Sequence, residues 1–388
     1  MIAKENTFTS KDGSSATNLL VNFARVIVGI LFIFSGLVKA NDPLGLSYKM
    51  QEFFEVWGNY GAFHSLMIWL NDYALAFSIT MITMEIIVGV ALLLGWWRKL
   101  ISWLLLLLII FFTFLTGYAV LSGKIKTCGC FGDCIPLTAM QSFIKDIILF
   151  ILILIIFFGT KYISSLFKGG VNLLIIILSV ALVLGFQWHV LRHLPTVDCL
   201  PYKKRNNILE LRKMPTNAIA DKVDFSFVYE KNGVKKEFAK DKIPDSTWTF
   251  VSRKDVIIEK GKNNEPPIKD FFLMTTSGED STEAILNQPN YYLFFIKDAE
   301  KNSGHWLPEF RKLQEKAKQQ NINLFVVAAQ ADKAQQFFNA KNNLNVLVVS
   351  CDGTALKTAA RTDPALYLMN GPIVKNKWGY ADLDKATK

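Results

Sequence analysis

Charge is scarce in the first half of this chain. Residues 1–190 carry 21 Lys, Arg, Asp and Glu side chains, whereas residues 191–388 carry 55. The first half is too poor in charge to be the surface of a soluble domain, and the second is too charged to lie in a bilayer. A single soluble globule and a disordered chain are both excluded. The net charge of +10 comes from scattered basic residues with no long run, which argues against nucleic acid as a partner. A Gly-rich phosphate loop, a Ser/His/Asp signature and an H-E-x-x-H pair are also missing. Cysteines number only five, an odd count that leaves at least one thiol free or paired with another chain.

In place of charge, the first half has apolar runs. Five of them, near 19–39, 73–94, 100–121, 142–159 and 171–190, are long enough to span a bilayer, which takes about 20 residues. The first is not a cleavable signal peptide. It is too long, follows a polar stretch over 6–15, and lacks a small-x-small site at its end. Arg98 and Lys99 separate the second and third runs, and Lys161 and Lys168 separate the fourth and fifth. Lys4 and Lys11 precede the first. The positive-inside rule puts these three places in the cytoplasm. Loops 41–72 and 122–141 then face outward, as does everything after Val190, and all five cysteines go with them. An oxidising compartment permits disulfides there. This predicts a protein of the bacterial inner membrane, with its N-terminus cytoplasmic, its C-terminal half periplasmic and lipid bilayer around the spans.

The loop between the third and fourth spans reads Thr127-Cys-Gly-Cys-Phe-Gly-Asp-Cys134. Gly129 and Gly132 let the backbone fold tightly and bring Cys128, Cys130 and Cys134 together. A Cys-x-Cys disulfide closes a small strained ring, and such disulfides are the oxidising ones. The first reading is thiol–disulfide exchange at the outer membrane face, with Cys134 able to resolve the Cys128/Cys130 pair. A second reading is a structural staple from Cys130 or Cys128 to Cys199. A third is a zinc or copper site. His189 and His193, spaced i, i+4 at the end of the fifth span, would join thiolates including Cys199.

Glu85 lies about twelve residues into the second span. A carboxylate at mid-membrane is costly and points to function by default. Arg25, six residues into the first span, stands at nearly the same depth and is the expected partner. The pair reads as a proton relay or a polar pocket for a quinone head group, or else as an ion pair that fixes two spans. Lys39, Lys145 and Asp146, at span ends, read as interface anchors. Met50, Phe53, Phe54 and Trp57 recur at helical spacing, which predicts a short amphipathic helix over 48–57 lying on the membrane surface.

The run from Arg25 to Lys39, the run from Glu85 to Gly95 and the string Cys128-Gly-Cys-Phe-Gly132 together resemble the DoxX family and its MauE branch, over about 18–160. The resemblance implies a four-helix membrane unit. It also implies periplasmic redox maturation, disulfide formation or electron delivery to quinone. Cys134 is an addition to the motif. Residues 161–193 then form a fifth transmembrane helix.

The outer half begins with a β-rich connecting segment over 194–264. Strands are expected at 223–230, 234–238, 247–251 and 256–259, with Lys231-Asn-Gly233 as a hairpin turn. From about 265 the pattern becomes α/β. Strands fall at 270–274, 291–296, 322–328 and 346–349, and helices at 307–320 and 331–340. Pro308-Glu-Phe310, Pro364 and Asn370-Gly-Pro-Ile-Val374 resemble a thioredoxin-like domain over 265–388, with Pro364 as the family's cis-proline. That family uses Cys-x-x-Cys at a helix N-terminus, but the matching positions here are Glu300 and Ser303. The resemblance therefore implies a binding module whose groove beside Pro364 holds an extended periplasmic partner. Cys351 reads as a small buried residue, and His305 and Trp306 as surface or packing residues.

Two functions compete. In one, a membrane redox protein exchanges thiols at Cys128/Cys130 and passes electrons to a quinone. In the other, the protein is a non-enzymatic scaffold or assembly factor whose cysteines are structural and whose outer domain recruits a client.

Overall fold

Hydropathy dictates the first half of the fold. The computed structural model describes residues 11–58, 64–123, 125, 129, 131–259, 261 and 263–388. Seven helices come first: α1 (Lys11–Ala40), α2 (Pro43–Gly58), α3 (His64–Asp72), α4 (Ala74–Leu94), α5 (Arg98–Ser122), α6 (Ala139–Phe158) and α7 (Gly169–His193). Among the described residues, α1, α4, α5, α6 and α7 are long and apolar enough to cross a membrane, with mean hydropathy from 2.1 to 2.6. The inward faces of α1, α4, α5 and α6 meet in a core of Val28, Phe32, Leu92, Leu105, Ile109, Ile153 and Ile156. Their outward faces leave large apolar side chains exposed, as a lipid-facing surface must.

α1 and α4 approach one another closely. A Cβ on Gly89 would sit 3.0 Å from the Gly29 carbonyl oxygen, and one on Gly36 would sit 2.3 Å from Ile86 Cγ1. Small residues let two backbones touch where apolar burial alone gives helices no reason to associate. These contacts set the register of the two antiparallel helices. α6 begins where Thr138 and Gln141 form a capping box that satisfies orphan amides at its N-terminus. α2 does not lie free on a membrane surface. It packs against the bundle, with Phe53 buried beside Ala119.

The second half carries two sheets. After α8 (Ile208–Leu211) come β1 (Lys222–Lys231), β2 (Val234–Ala239) and β3 (Thr249–Glu259), antiparallel in the order β2-β1-β3. The two expected strands over 247–259 are one strand, β3, which carries a bulge opposite β1.

The larger sheet follows, built from α9 (Thr282–Leu286), β4 (Tyr291–Ile296), α10 (Ser303–Gln319), β5 (Asn323–Ala328), α11 (Ala331–Gln335), β6 (Leu347–Ser350), α12 (Gly353–Ala359), β7 (Ala365–Asn370), β8 (Ile373–Gly379) and α13 (Leu383–Thr387). Its order is β6-β5-β4-β7-β8. β4, β5 and β6 are parallel, and β7 and β8 antiparallel. β4 is buried along its whole length. Tyr291, Leu293 and Phe295 face α9 and α12, and Tyr292, Phe294 and Ile296 face α10 and α13. A strand covered on both faces reads as a continuous apolar run, and the sequence Tyr-Tyr-Leu-Phe-Phe-Ile is one.

Residues 270–274, expected as a strand, form only an isolated bridge at Met274 to Ser350 and Asp280. The Asp363–Pro364 peptide is cis.

Candidate functional site

Glu85 is where mid-span hydropathy placed it, but its partner is not Arg25. Lys39 reaches from near the end of α1 and sets its Nζ 2.7 Å from Glu85 Oε2, with both side chains almost fully buried. Arg25 stands several turns away. Its Nε donates to the Leu92 carbonyl at 2.8 Å and its Nη2 to the Leu93 carbonyl at 2.6 Å. Those carbonyls stand at the C-terminal, negative end of α4, where a cation is favoured, and the Leu92 carbonyl also accepts the Gly95 N–H at 3.0 Å. The expected Arg25–Glu85 polar site is therefore two separate features. Arg25 caps a helix, and Glu85 belongs to an ion pair with a residue read as an anchor.

A second ion pair stands close by. Lys145 Nζ lies 2.6 Å from Asp146 Oδ1, and Thr116 Oγ1 donates to Asp146 Oδ2 at 3.0 Å. Asp146 is fully buried, so it too is no interface anchor. A charge four residues from the end of an apolar run carries the same sequence signal that singled out Glu85. Both pairs line one cavity of about 370 Å³ among α1, α4, α5 and α6. Its other walls are mostly apolar, including Phe32, Ile109, Phe112 and Phe131, with Ser35 and Gln141 adding polar groups. Lys39 Nζ lies 4.9 Å from the Phe112 ring centre and Lys145 Nζ 5.3 Å from that of Phe131. Each ammonium thus has a carboxylate and an aromatic face, which offset its desolvation.

Phe131 connects this cavity to the cysteine loop, since it directly follows Cys130. Cys128 and Cys130 lie outside the described residues. The segments around them are held at several points. Ile125 is buried in a cluster with Phe53 and Ala119, and Phe131 packs 6.0 Å from Phe34. Gly129 has φ 64 and a Cβ there would lie 3.2 Å from Lys49 Cγ, so this position requires glycine. Cys134 is disulfide-bonded to Cys199, with a Cα–Cα distance of 4.9 Å. The expected staple exists, but it is made by Cys134 and not by Cys128 or Cys130. Closing a loop across 65 residues removes about 4 kcal/mol of unfolded-chain entropy in the loop-closure account.

The metal alternative loses its thiolate, because Cys199 is spent in that disulfide. The His189 and His193 rings stack 4.5 Å apart, and His193 Nδ1 lies 3.0 Å from Asp382 Oδ2. Among the described residues no cluster of three or more His, Cys, Asp or Glu could hold a metal ion. Cys351 is buried in the sheet domain's core, and burial pushes its thiol up to about 12.

The groove expected beside Pro364 is not open. Pro364 is buried, and the residues on either side of it engage the membrane half. Arg361 Nε lies 2.8 Å from Asp42 Oδ2 and its Nη2 lies 2.5 Å from Asp133 Oδ2. Lys297, at the end of β4, donates to the Tyr48 hydroxyl at 2.5 Å, and its backbone N–H donates to Asp363 Oδ1 at 2.9 Å. Lys297, Lys357 and Arg361 all stand 5.2 to 5.5 Å from the Tyr48 ring centre. Asn41 pairs with the Val197 backbone in both directions.

Burial shapes the ionisation of this cluster. It pulls Lys297 down to about 8, against the attraction of Asp363. It raises the Asp42 carboxyl above its usual range despite Arg361, and it raises the Tyr48 phenol. Burial would also lower Arg361, but Asp42 and Asp133 outweigh it and the guanidinium is held charged. Nothing local in the sequence signals this cluster, in which Tyr48 and Lys297 are separated by 249 residues and Asp42 and Arg361 by still more.

Known proteins match parts of the chain. The family described as methylamine utilisation protein MauE matches residues 17–159, the stretch that holds α1 to α6. A domain of unknown function, DUF8463, matches residues 223–260, the small antiparallel sheet. Protein TlpB of Flavobacterium psychrophilum is 34% identical over 142 residues, which is 34% of this chain and 35% of that protein. The chain thus spans about a third of the length of the curated relative it matches. No solved structure matches.

Proposed function

We propose that this chain is a thiol–disulfide oxidoreductase of the bacterial inner membrane that moves electron pairs between a periplasmic protein dithiol and a quinone. The observation that carries the reading is the cavity lined by Lys39, Glu85, Lys145 and Asp146, whose wall includes Phe131, the residue after Cys130. A cavity of about 370 Å³ with mostly apolar walls and two ammonium groups suits a planar ring with carbonyl acceptors. A quinone bound there supplies a two-electron, two-proton acceptor.

The chain's own residues do the rest. The Cys128–Cys130 disulfide takes two electrons and two protons from the partner dithiol and becomes a dithiol. It re-forms when the pair is passed inward. Lys39 and Lys145 present N–H donors to a carbonyl oxygen, and Glu85 and Asp146 hold and move the protons. The match of residues 17–159 to MauE supports placing this chemistry in the helical unit. Arg98 and Lys161, at the end of the bundle away from the sheets, support a periplasmic C-terminal half. The strand order β6-β5-β4-β7-β8 and the place of Pro364 before β7 support a thioredoxin-like reading of the larger sheet. Glu300 and Ser303 stand where its cysteines would be.

The test is dithiothreitol-driven reduction of a soluble ubiquinone analogue by the full chain in detergent, followed by quinone absorbance. The reading expects turnover that Cys130→Ser abolishes. A chain that never reduces the quinone, or a Cys130→Ser variant that still does, contradicts it. One observation favours the scaffold reading: the face beside Pro364 is taken up by the chain's own Tyr48, Asp42 and Asp133.

A further inference from the structure

With the face beside Pro364 covered, a client must meet the chain elsewhere. An open cleft of about 680 Å³ lies where α2 faces α12, within the roughly 300–1,000 Å³ of ligand sites. Lys49, Glu52 and Glu55 stand on the α2 wall, and Thr354 and Lys357 on the α12 wall. Cys199 lines the same cleft, and both it and its partner Cys134 are half-buried, with part of their surface open to solvent. The disulfide is therefore reachable from solvent, in a cleft that carries both signs of charge and has walls from both halves of the protein.

We propose that this cleft receives an extended, cysteine-bearing segment of a protein client, and that the Cys134–Cys199 disulfide is the client's first electron acceptor. The proposal rests on the redox reading above and adds a second active disulfide to it. An extended segment fits because a folded surface cannot bring a sulfur in line with an S–S bond inside a cleft. Lys49 and Lys357 favour the client's thiolate, which is the nucleophile in thiol exchange.

The steps balance. The client's first thiolate attacks Cys199 Sγ, the sulfur that lines the cleft, and forms a mixed disulfide. Cys134 leaves as a thiolate. The client's second thiolate then attacks its own first sulfur, which closes the client disulfide and frees Cys199. The Cys134/Cys199 dithiol next reduces the Cys128–Cys130 disulfide through Cys134, only four residues beyond Cys130, and the staple re-forms. Two electrons and two protons move at each exchange.

The structure also explains why this disulfide can open without loss of architecture. Arg361 holds Asp42 and Asp133 together, and Asn41 holds Val197. The two segments the disulfide joins therefore stay in place when it is reduced.

The experiment compares two reductants, each with the quinone analogue as acceptor, on the full chain in detergent. Reduced ribonuclease A is the protein dithiol and dithiothreitol the small one. The double variant Cys134→Ser/Cys199→Ser is expected to lose ribonuclease oxidation at least 100-fold. Glu55→Lys/Thr354→Trp, at two exposed positions, is expected to slow only the ribonuclease reaction, about tenfold or more. A synthetic peptide with one cysteine is expected to leave a mixed disulfide on Cys199, mapped by mass spectrometry. Ribonuclease oxidation that survives the double cysteine variant overturns the proposal. So does a Glu55→Lys/Thr354→Trp variant that slows both reductants equally, or a peptide adduct on Cys134. A wild-type chain that oxidises neither reductant is a failure of the redox reading itself, and the two failures are thereby distinct.

Discussion

Arg361 and Asp133 lie 228 positions apart in sequence, and their side chains meet at 2.5 Å. The same guanidinium holds Asp42 at 2.8 Å. One cation beside Pro364 thus ties the sheet domain to the residue before Cys134 and to the turn between α1 and α2. The cysteine loop is fixed by the sheet domain as well as by the membrane helices.

Removing that cation leaves two carboxylates facing one another with no partner between them. Arg361→Ala is expected to weaken docking by about 2–5 kcal/mol, the usual cost of truncating one partner of a buried, hydrogen-bonded charge pair. Hydrogen exchange checks this directly. Amides of α2 and α12 should lose protection while those of β4 and β5 keep theirs.

The intramembrane pair makes a sharper prediction. Lys39→Met leaves the Glu85 carboxylate buried without its counter-charge and should cost about 3–5 kcal/mol. Lys39→Met/Glu85→Leu removes both charges and should regain most of that loss. Thermal unfolding in detergent reads both. Equal destabilisation by the single and double variants would contradict the pairing.

Lys297 gives the docked interface a pH dependence. Burial lowers its pKa to about 8, below the unfolded value near 10.4. Between these values the unfolded chain binds the extra proton, so stability rises with pH across that window. Below about 8 both states are protonated and the full penalty of the buried ammonium is present. Tyr48 limits the upper end, because its raised pKa makes docking weaken once pH passes the unfolded phenol near 10. Asp363, Arg361, Asp42 and Lys357 also face Lys297. From pH 8 to 10 the wild type should gain on the order of 2 kcal/mol relative to Lys297→Met. The check is the difference between their thermal midpoints over that range.

Cys351 should be silent. Its thiol is buried and pushed up to about 12, so little thiolate exists to react. It should resist N-ethylmaleimide at pH 7.5 in the folded chain and react fully once denaturant is added.

Much of this architecture could be read in the sequence. Apolar runs of bilayer length are an unambiguous physical signal, and α1, α4, α5, α6 and α7 follow them closely. The mid-span Glu85 lines the cavity among α1, α4, α5 and α6, and Phe131 of the Cys-Gly-Cys-Phe-Gly string lines it too. The partner of Glu85 could not be read, because depth along a run does not fix the register between two helices. That register depends on Gly29 against Gly89 and Gly36 against Ile86, a matter of close packing invisible to hydropathy. With it, Arg25 falls beside Leu92 and Lys39 beside Glu85. Residues 270–274 have the composition of a strand, but β6 offers them only a single bridge at Ser350. The network around Tyr48 joins α2 to the ends of β4 and α12, and no local pattern announces such a contact. Cys134 and Cys199 looked like two separate oddities until the fold set their Cα atoms 4.9 Å apart.

Thiol counting tests the central claim most directly. The purified chain is alkylated and its intact mass measured after mild reduction, and again after a quinone analogue is added. The redox account predicts that Cys128 and Cys130 label when reduced and are protected once the quinone has re-oxidised them, with Cys351 unlabelled throughout. A chain whose cysteines stay oxidised in mild reductant and ignore the quinone would contradict it.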